Sequence, residues 1–264
     1  MGASGAPGST LNIDFGNASS GFKKPLVVGA TSTNRQSDTG KEIEAVQSKI
    51  GLPFPGIVAG LLADRQGMVN LDNAEIYFAG GLISSALLEI LTSNNEDLLE
   101  GEKEYYKNMS FSVLAAGFFP DSRGVININN SNLYFGRDFY VSKIKLSAID
   151  ELNAVIDIGA RGGGDGVADI KNSNLELAGT QNSIIVGELG SSGKLSISNS
   201  TLLARAQYKT NIFSAVTKGS YASINVGKGY RAFGNLEINK NTRIDITGRT
   251  TDIFIGKGGG NGSF

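Results

Sequence analysis

The stretch Gly124-Val-Ile-Asn-Ile-Asn-Asn-Ser-Asn-Leu133 decides the fold, because nearly the same ten residues occur four times in the chain. The other copies begin at Gly67, Gly166 and Gly193. A looser fifth copy begins at Gly234 and carries one extra residue before its last apolar position. A pattern that recurs within one chain is typical of a repeat architecture, in which each unit buries its apolar face against its neighbours.

Within each copy, apolar residues follow the glycine at the second and fourth places, with a polar residue between them. These apolar residues are Val69, Leu71, Ile126, Ile128, Ala168, Ile170, Leu195, Ile197, Leu236 and Ile238. Such alternation predicts a strand with one buried face.

Asparagine stands six places after the glycine in four copies, at Asn73, Asn130, Asn172 and Asn199. A small residue follows each of them, at Ala74, Ser131, Ser173 and Ser200. Asparagine tolerates left-handed backbone, so the pattern predicts a tight corner. If corners stack at strand spacing, equivalent amides can bond in a structural ladder. A second strand opens after the corner, and its inward positions include Ile76, Phe78, Leu133, Phe135, Leu175, Leu177 and Leu202.

A further half-motif, alternating apolar residues that end in glycine, precedes the repeat glycines. It occupies residues 156–159, 184–187 and 224–227, and it begins again at residues 253–256. Three short strands per coil predict an all-β fold, a right-handed parallel β-helix. One coil needs roughly 20–29 residues in repeats of this kind. The interval from Gly166 to Gly193 therefore predicts one coil, and the intervals from Gly124 to Gly166 and from Gly193 to Gly234 predict two coils each.

The longest interval, between the first two copies, predicts an insertion over residues 82–107. Helical spacing marks its first half, at Leu82, Ile83, Ala86, Leu87, Ile90 and Leu91. Its second half, residues 96–107, is acidic and carries two tyrosines. The sequence predicts a helical or looped excursion here and a shorter helix over residues 42–50. Residues 10–264 are expected to form one β-helix, and residues 1–9 a flexible leader of expression origin. The glycine turn at residues 256–264, without an end cap, leads us to expect a longer natural protein.

Composition restricts the chemistry of this chain of 264 residues. Its net charge of −1 gives no electrostatic case for nucleic acid or an anionic membrane. No run approaches the ~18 apolar residues of a transmembrane helix. Cysteine and histidine are both absent, which excludes disulfides, Ser-His and Cys-His mechanisms and ordinary zinc sites. No cofactor is expected.

The stretch from Ile184 to Leu202, with Ile-x-Val-Gly, a glycine turn and Gly-x-Leu-x-Ile-x-Asn-Ser-x-Leu, resembles the passenger repeats of bacterial type V secretion proteins. These are autotransporters and filamentous-haemagglutinin-like adhesins. The resemblance covers about half of the chain and implies a β-helix. It also implies a secreted or surface-exposed bacterial protein used in adhesion, aggregation or biofilm formation.

Two alternatives come from other functional classes. A polysaccharide-binding or -degrading β-helix, a lyase or hydrolase, would need carboxylates clustered on one face. The candidates are Asp157, Asp169, Asp245 and Asp252, with Arg161 and Arg243. Convergence of Asp157, Asp169 and Asp245 would favour the enzyme, whereas scattered positions favour solvated surface charge. The third hypothesis is a purely structural stalk of a larger surface protein.

Two groups of residues are candidates for binding. Tyr77 and Tyr134 share one repeat position and should face outward. The insertion contributes Glu96, Asp97, Glu100, Glu102, Tyr105 and Tyr106, and insertions from solenoids often carry binding. The expected partner is a host-surface or matrix protein, a neutral glycan or another copy of the chain. The glycine-rich residues 161–169 are interpreted as a turn with a solvated aspartate, without metal or phosphate.

Overall fold

The computed structural model describes residues 2–3, 9–14, 26–29, 56–60, 66–82, 110–118, 121–136, 139–141, 144–146, 152–159, 164–206 and 221–264. Over these residues the chain forms a parallel β-helix, which confirms the predicted fold class. Each coil contributes one strand to each of three sheets, always in the same order, and we call these sheets A, B and C. The right hand of the coil, the general preference for crossovers between parallel strands, stays a prediction.

The strands are assigned as follows. Sheet A contains β1 (Gly2–Ala3), β4 (Gly56–Ala59), β7 (Ser110–Ala116), β12 (Leu152–Ile158), β15 (Gln181–Glu188), β18 (Tyr221–Lys228) and β21 (Thr250–Ile255). Sheet B contains β2 (Thr10–Asp14), β5 (Gln66–Asp72), β8 (Arg123–Asn129), β13 (Asp165–Lys171), β16 (Ser192–Ser198), β19 (Phe233–Ile238) and β22 (Asn261–Ser263). Sheet C contains β3 (Leu26–Gly29), β6 (Glu75–Leu82), β9 (Asn132–Phe135), β14 (Asn174–Leu177), β17 (Thr201–Arg205) and β20 (Arg243–Thr247). Outside these sheets, β10 (Phe139–Val141) and β11 (Ile144–Leu146) form an antiparallel hairpin.

The repeat glycines pair directly with one another in sheet B, in the order Gly67, Gly124, Gly166, Gly193 and Gly234. Every interval between copies is therefore one coil. The prediction of two coils in the intervals that follow Gly124 and Gly193 is wrong. The additional residues there lie between a strand of sheet C and the next strand of sheet A, where they lengthen the connection instead of adding a coil.

The inward positions of the three sheets form one continuous apolar core. Phe78 and Phe135 are fully buried and stack with centroids 4.2 Å apart and ring planes 4° apart. Because the coils are in register, equivalent residues of successive coils contact each other. Each inward position of the repeat therefore forms a stack of similar side chains along the axis of the solenoid. Ile238 is the exception among the predicted inward residues, with 37% of its surface exposed, because β22 pairs only with residues 233–235 of β19.

The connection from sheet A to sheet B needs glycine at two positions, at or directly after the end of the strand of sheet A and near the start of the strand of sheet B. Gly159 has φ +74°, and a Cβ there would lie 2.1 Å from the Ser192 carbonyl oxygen of the next coil. A Cβ on Gly193 would lie 2.0 Å from the Ile158 carbonyl oxygen of the coil before it. Real Cβ atoms do not approach backbone this closely, so these glycines are fixed by close packing between coils.

The described coils extend toward the N-terminus through β2, whose Leu11 and Ile13 pack against the core. Gly2–Ala3 pairs with β4, inside the predicted leader. Leu82, predicted to begin a helix, lies in β6 and pairs antiparallel with Ser110. The rest of the predicted insertion and the candidate helix at 42–50 lie outside the described residues.

Candidate functional site

The four corner asparagines adopt left-handed backbone, with φ of 51° at Asn73, 47° at Asn130, 49° at Asn172 and 46° at Asn199. The amides of Asn73 and Asn172 donate along the coil axis to residues of the preceding coil, and the two acceptors stand at different places relative to the corner. Asn73 donates to Asp14 at 3.2 Å, and Asn172 donates to Asn129, next to the corner of the preceding coil, at 3.2 Å.

In the last corner of this row, Asn241 at φ 56° donates to Asn199 at 3.4 Å, which is a bond from corner to corner. The corner amides thus belong to a polar strip along the edge between sheets B and C. This placement suits a structural role.

Serine follows three of the four corner asparagines, at Ser131, Ser173 and Ser200, and its hydroxyl bonds one coil to the next. The Ser173 hydroxyl donates to the Lys171 carbonyl at 2.6 Å and accepts the Ser131 N–H at 3.1 Å. Ser200 accepts the Ser173 N–H at 3.1 Å in the same way, and Ser131 accepts the Ala74 N–H at 3.0 Å. In the sequence these residues stand out only as small. Their recurrence as hydroxyl residues was the available signal.

A row of amides runs along the outer face of sheet B. Asn70 donates to Asn12 at 2.7 Å, and Asn127 donates to Asn70 at 2.8 Å. A parallel row joins Asn129 to Asp72 at 3.0 Å. Side chains that hydrogen-bond to each other along the stack have fewer donors and acceptors left for a ligand. These rows therefore suit a structural role.

The two candidate tyrosines lie together on sheet C. The Tyr77 and Tyr134 rings stack with centroids 4.8 Å apart, and the Tyr77 hydroxyl donates to Glu75 at 3.0 Å. Stacking occupies the ring faces that the tyrosines turn toward each other. A sugar that binds by stacking would need such a face, so the geometry favours a stabilising pair.

The three carboxylates that could favour an enzyme lie on different sheets. Asp157 is in sheet A, Asp169 in sheet B and Asp245 in sheet C, so they do not converge. Asp169 pairs with Lys171, and Asp165 of the glycine-rich turn lies 3.7 Å from Arg123. Within the described residues, no group of three or more acidic side chains could hold a metal ion.

Two partly exposed carboxyls have lowered pKa values. The hydrogen bond from Arg205, 3.0 Å away, lowers the pKa of Asp245 most, and Arg243 at 3.2 Å adds to it. The hydrogen bond from Lys194 lowers the pKa of Glu237 in the same way. Both groups are surface ion pairs, an arrangement that keeps carboxylates charged rather than preparing one as a general acid.

Four connections of at least 15 residues each join a strand of sheet C to the next strand of sheet A, at one edge of the solenoid. They span residues 30–55, 83–109, 136–151 and 206–220. At the same edge, the other connections are only residues 178–180 and 248–249. The predicted binding residues Glu96, Asp97, Glu100, Glu102, Tyr105 and Tyr106 belong to the second long connection and lie outside the described residues.

The edge between sheets A and B carries an exposed apolar group that sequence reasoning missed. Leu189, Tyr230 and Phe233 are 48%, 66% and 55% exposed. The signal was present in the sequence, since large apolar residues in a glycine turn have no inward position to fill.

No protein-family model, curated protein or solved structure matches the chain. Among the described residues, no helix is long and apolar enough to cross a membrane.

Proposed function

We propose that the chain is part of the passenger of a bacterial type V secretion adhesin, non-catalytic and displayed at the cell surface or secreted. It would mediate adhesion, aggregation or biofilm formation. The observation that carries the proposal is the grouping of four connections of at least 15 residues at one edge of the solenoid, whereas the other connections between described strands have at most 11 residues, in 15–25. Insertions from repeat proteins map to one face, and that face often binds.

The coils support this division between scaffold and binding edge. Their recurrent residues are used in stacking, as the Phe78–Phe135 pair and the Ser131–Ser173 hydrogen bond illustrate. The separation of Asp157, Asp169 and Asp245 onto three sheets gives no support to the degrading-enzyme alternative. The resemblance to passenger repeats supplies the secretion route and the surface location.

Removing the acidic connection tests the proposal. Leu82 and Ser110 are paired, so the ends of residues 83–109 lie side by side and a short Gly-Ser turn can replace them. We expect the shortened protein to melt like the parent, because the three sheets are retained. Attachment of cells displaying it should fall, because the acidic side chains and both tyrosines of the connection are gone.

A matched control replaces residues 207–220, between β17 and β18, by the same linker. This shortens the same edge without removing acidic residues. Unchanged adhesion by the 83–109 variant, with its folding intact, would favour the stalk hypothesis over the adhesin.

A further inference from the structure

The exposed residues of the A–B edge form one surface across neighbouring coils. Leu189 lies over Gly229 of the next coil, where a Cβ would be 2.5 Å from Leu189 Cδ2. Tyr230 follows Gly229 directly, and Phe233 begins β19 three residues later. The Arg231 guanidinium lies 5.0 Å from the centre of the Tyr230 ring. We call these four residues, Leu189, Tyr230, Arg231 and Phe233, the turn-edge surface.

A missing coil does not explain this exposure. Phe233 pairs with Asn261 of the following coil, and Gly259 of that coil lies beside the Tyr230 ring, where a Cβ would be 3.8 Å from Tyr230 Cδ2. For Tyr230 and Phe233 the turns before and after are both in place, so these two side chains are exposed laterally. Exposed apolar groups of this kind mark interaction sites in soluble proteins.

The charge around the turn-edge surface is positive. Arg231 and Lys257 are exposed, and the Lys257 amine lies 3.6 Å from the centre of the Phe254 ring. Glu188, the nearby acid, is buried at 3% exposure and bound to Lys228 at 3.0 Å. In the same row as Phe233, Asp165 is two coils away and faces Arg123 at 3.7 Å.

We propose that the turn-edge surface docks an acidic polypeptide segment that also carries apolar side chains. Tyrosine and arginine are enriched among the residues that dominate protein–protein binding. Leu189 and Phe233 supply apolar area without hydrogen-bond donors, which suits a polypeptide better than a polysaccharide. The positive charges favour an acidic partner and steer its approach. This inference is independent of the proposed function, since the surface and the long connections occupy different edges.

The test measures binding in solution by the full chain, without cells. The probe is a labelled synthetic peptide with the sequence of residues 96–107, which is acidic and contains leucine and tyrosine. A second peptide replaces its acids by the corresponding amides, and a sulfated polysaccharide represents the glycan class. We expect the acidic peptide to bind, and the affinity to fall as ionic strength rises. Tyr230→Ala and Arg231→Glu should each weaken binding about tenfold.

Two control variants carry matched changes elsewhere. Val167→Ser alters an exposed apolar residue of sheet B, and Lys240→Glu reverses an exposed cation at the edge between sheets B and C. Neither should change binding. If Tyr230→Ala lowers the melting temperature, Phe233→Ser replaces it as the test of the apolar contact, because Phe233 is also exposed.

Absence of acidic-peptide binding, or equal binding by the amide peptide or by the Arg231→Glu variant, would overturn the proposal. Binding of the polysaccharide alone, lost in the same variants, would also overturn it and assign the surface to glycans.

Discussion

At the residue scale, the corner serine links two coils through one hydroxyl. Ser173 is buried, donates to the Lys171 carbonyl and accepts the Ser131 N–H. We expect Ser173→Ala to lower the free energy of unfolding by about 1–3 kcal/mol, because the Ser131 N–H loses its acceptor while the Lys171 carbonyl keeps only the Asn130 N–H. Denaturant unfolding measures the change. Ser192→Ala, at an exposed position of the next coil, is the control and should have little effect.

Two glycines of the same coil separate steric packing from backbone conformation. Gly193→Ala places a Cβ 2.0 Å from the Ile158 carbonyl oxygen. Gly190 has φ +79°, and a Cβ added there would have no heavy atom within 4 Å. Gly190→Ala therefore costs only the energy of placing an alanine in the left-handed backbone conformation, about 1–2 kcal/mol. We expect the melting temperature to fall much further for Gly193→Ala. An equal fall in melting temperature for the two variants would contradict the close approach of the sheet A and sheet B backbones at Gly193.

At the scale of the strand, Arg205 of β17 sets the pKa of Asp245 on the neighbouring strand β20. That pKa lies below its usual value of 3.8. A lowered pKa means that this carboxylate stabilises the fold above pH 3.8, and that its contribution is lost as pH falls through the lowered value. Arg205→Gln should raise the pKa toward 3.8 in an NMR titration. An unchanged pKa would mean that Arg243, and not Arg205, lowers the pKa of Asp245.

Strands of one sheet depend on their neighbours. Ile197 is buried between Ile170 and Ile238, so Ile197→Asp buries a carboxylate without a partner. We expect faster amide hydrogen exchange at residues 165–171 as well as in β16, because solenoid coils stabilise each other. Ser198→Asp, on the outer face beside Lys171, is the control. Protection that stays intact in β13 would contradict this coupling.

The buried and exposed faces of the strands were predictable from the sequence, because apolar and polar residues alternate with the two-residue period of a β-strand. Ile126 and Ile128 are buried as predicted, and Asn130 turns the chain at positive φ. The lateral partners of outward side chains were not predictable from one copy, because they depend on the register between coils. The bonds of Asn70 to Asn12 and Asn127 to Asn70 follow from that register.

At the scale of the whole molecule, the number of coils could not be taken from chain length. Residues 206–220 lengthen a connection, yet β18 still pairs with β15 as the next strand. The interval from Gly193 to Gly234 is long enough for two coils of roughly 20–29 residues, so chain length does not distinguish a second coil from a long connection. The exposed apolar residues of the A–B edge were not predicted for a related reason, since Leu189 and Gly229 come into contact only when successive turns stack.

The same stacking predicts that a cut in a long connection leaves the molecule intact. The pairs β15–β18, β16–β19 and β17–β20 all join the coils on either side of residues 207–220. If residues 209–218 are replaced by a site-specific protease sequence and cleaved, we expect one particle in size-exclusion chromatography. Melting should remain cooperative, because the sheets and the core cross the break while only one peptide bond is lost. Elution of two separate fragments under native conditions would contradict the continuous core. Cleavage in urea, followed by chromatography in urea, is the control and should separate the fragments.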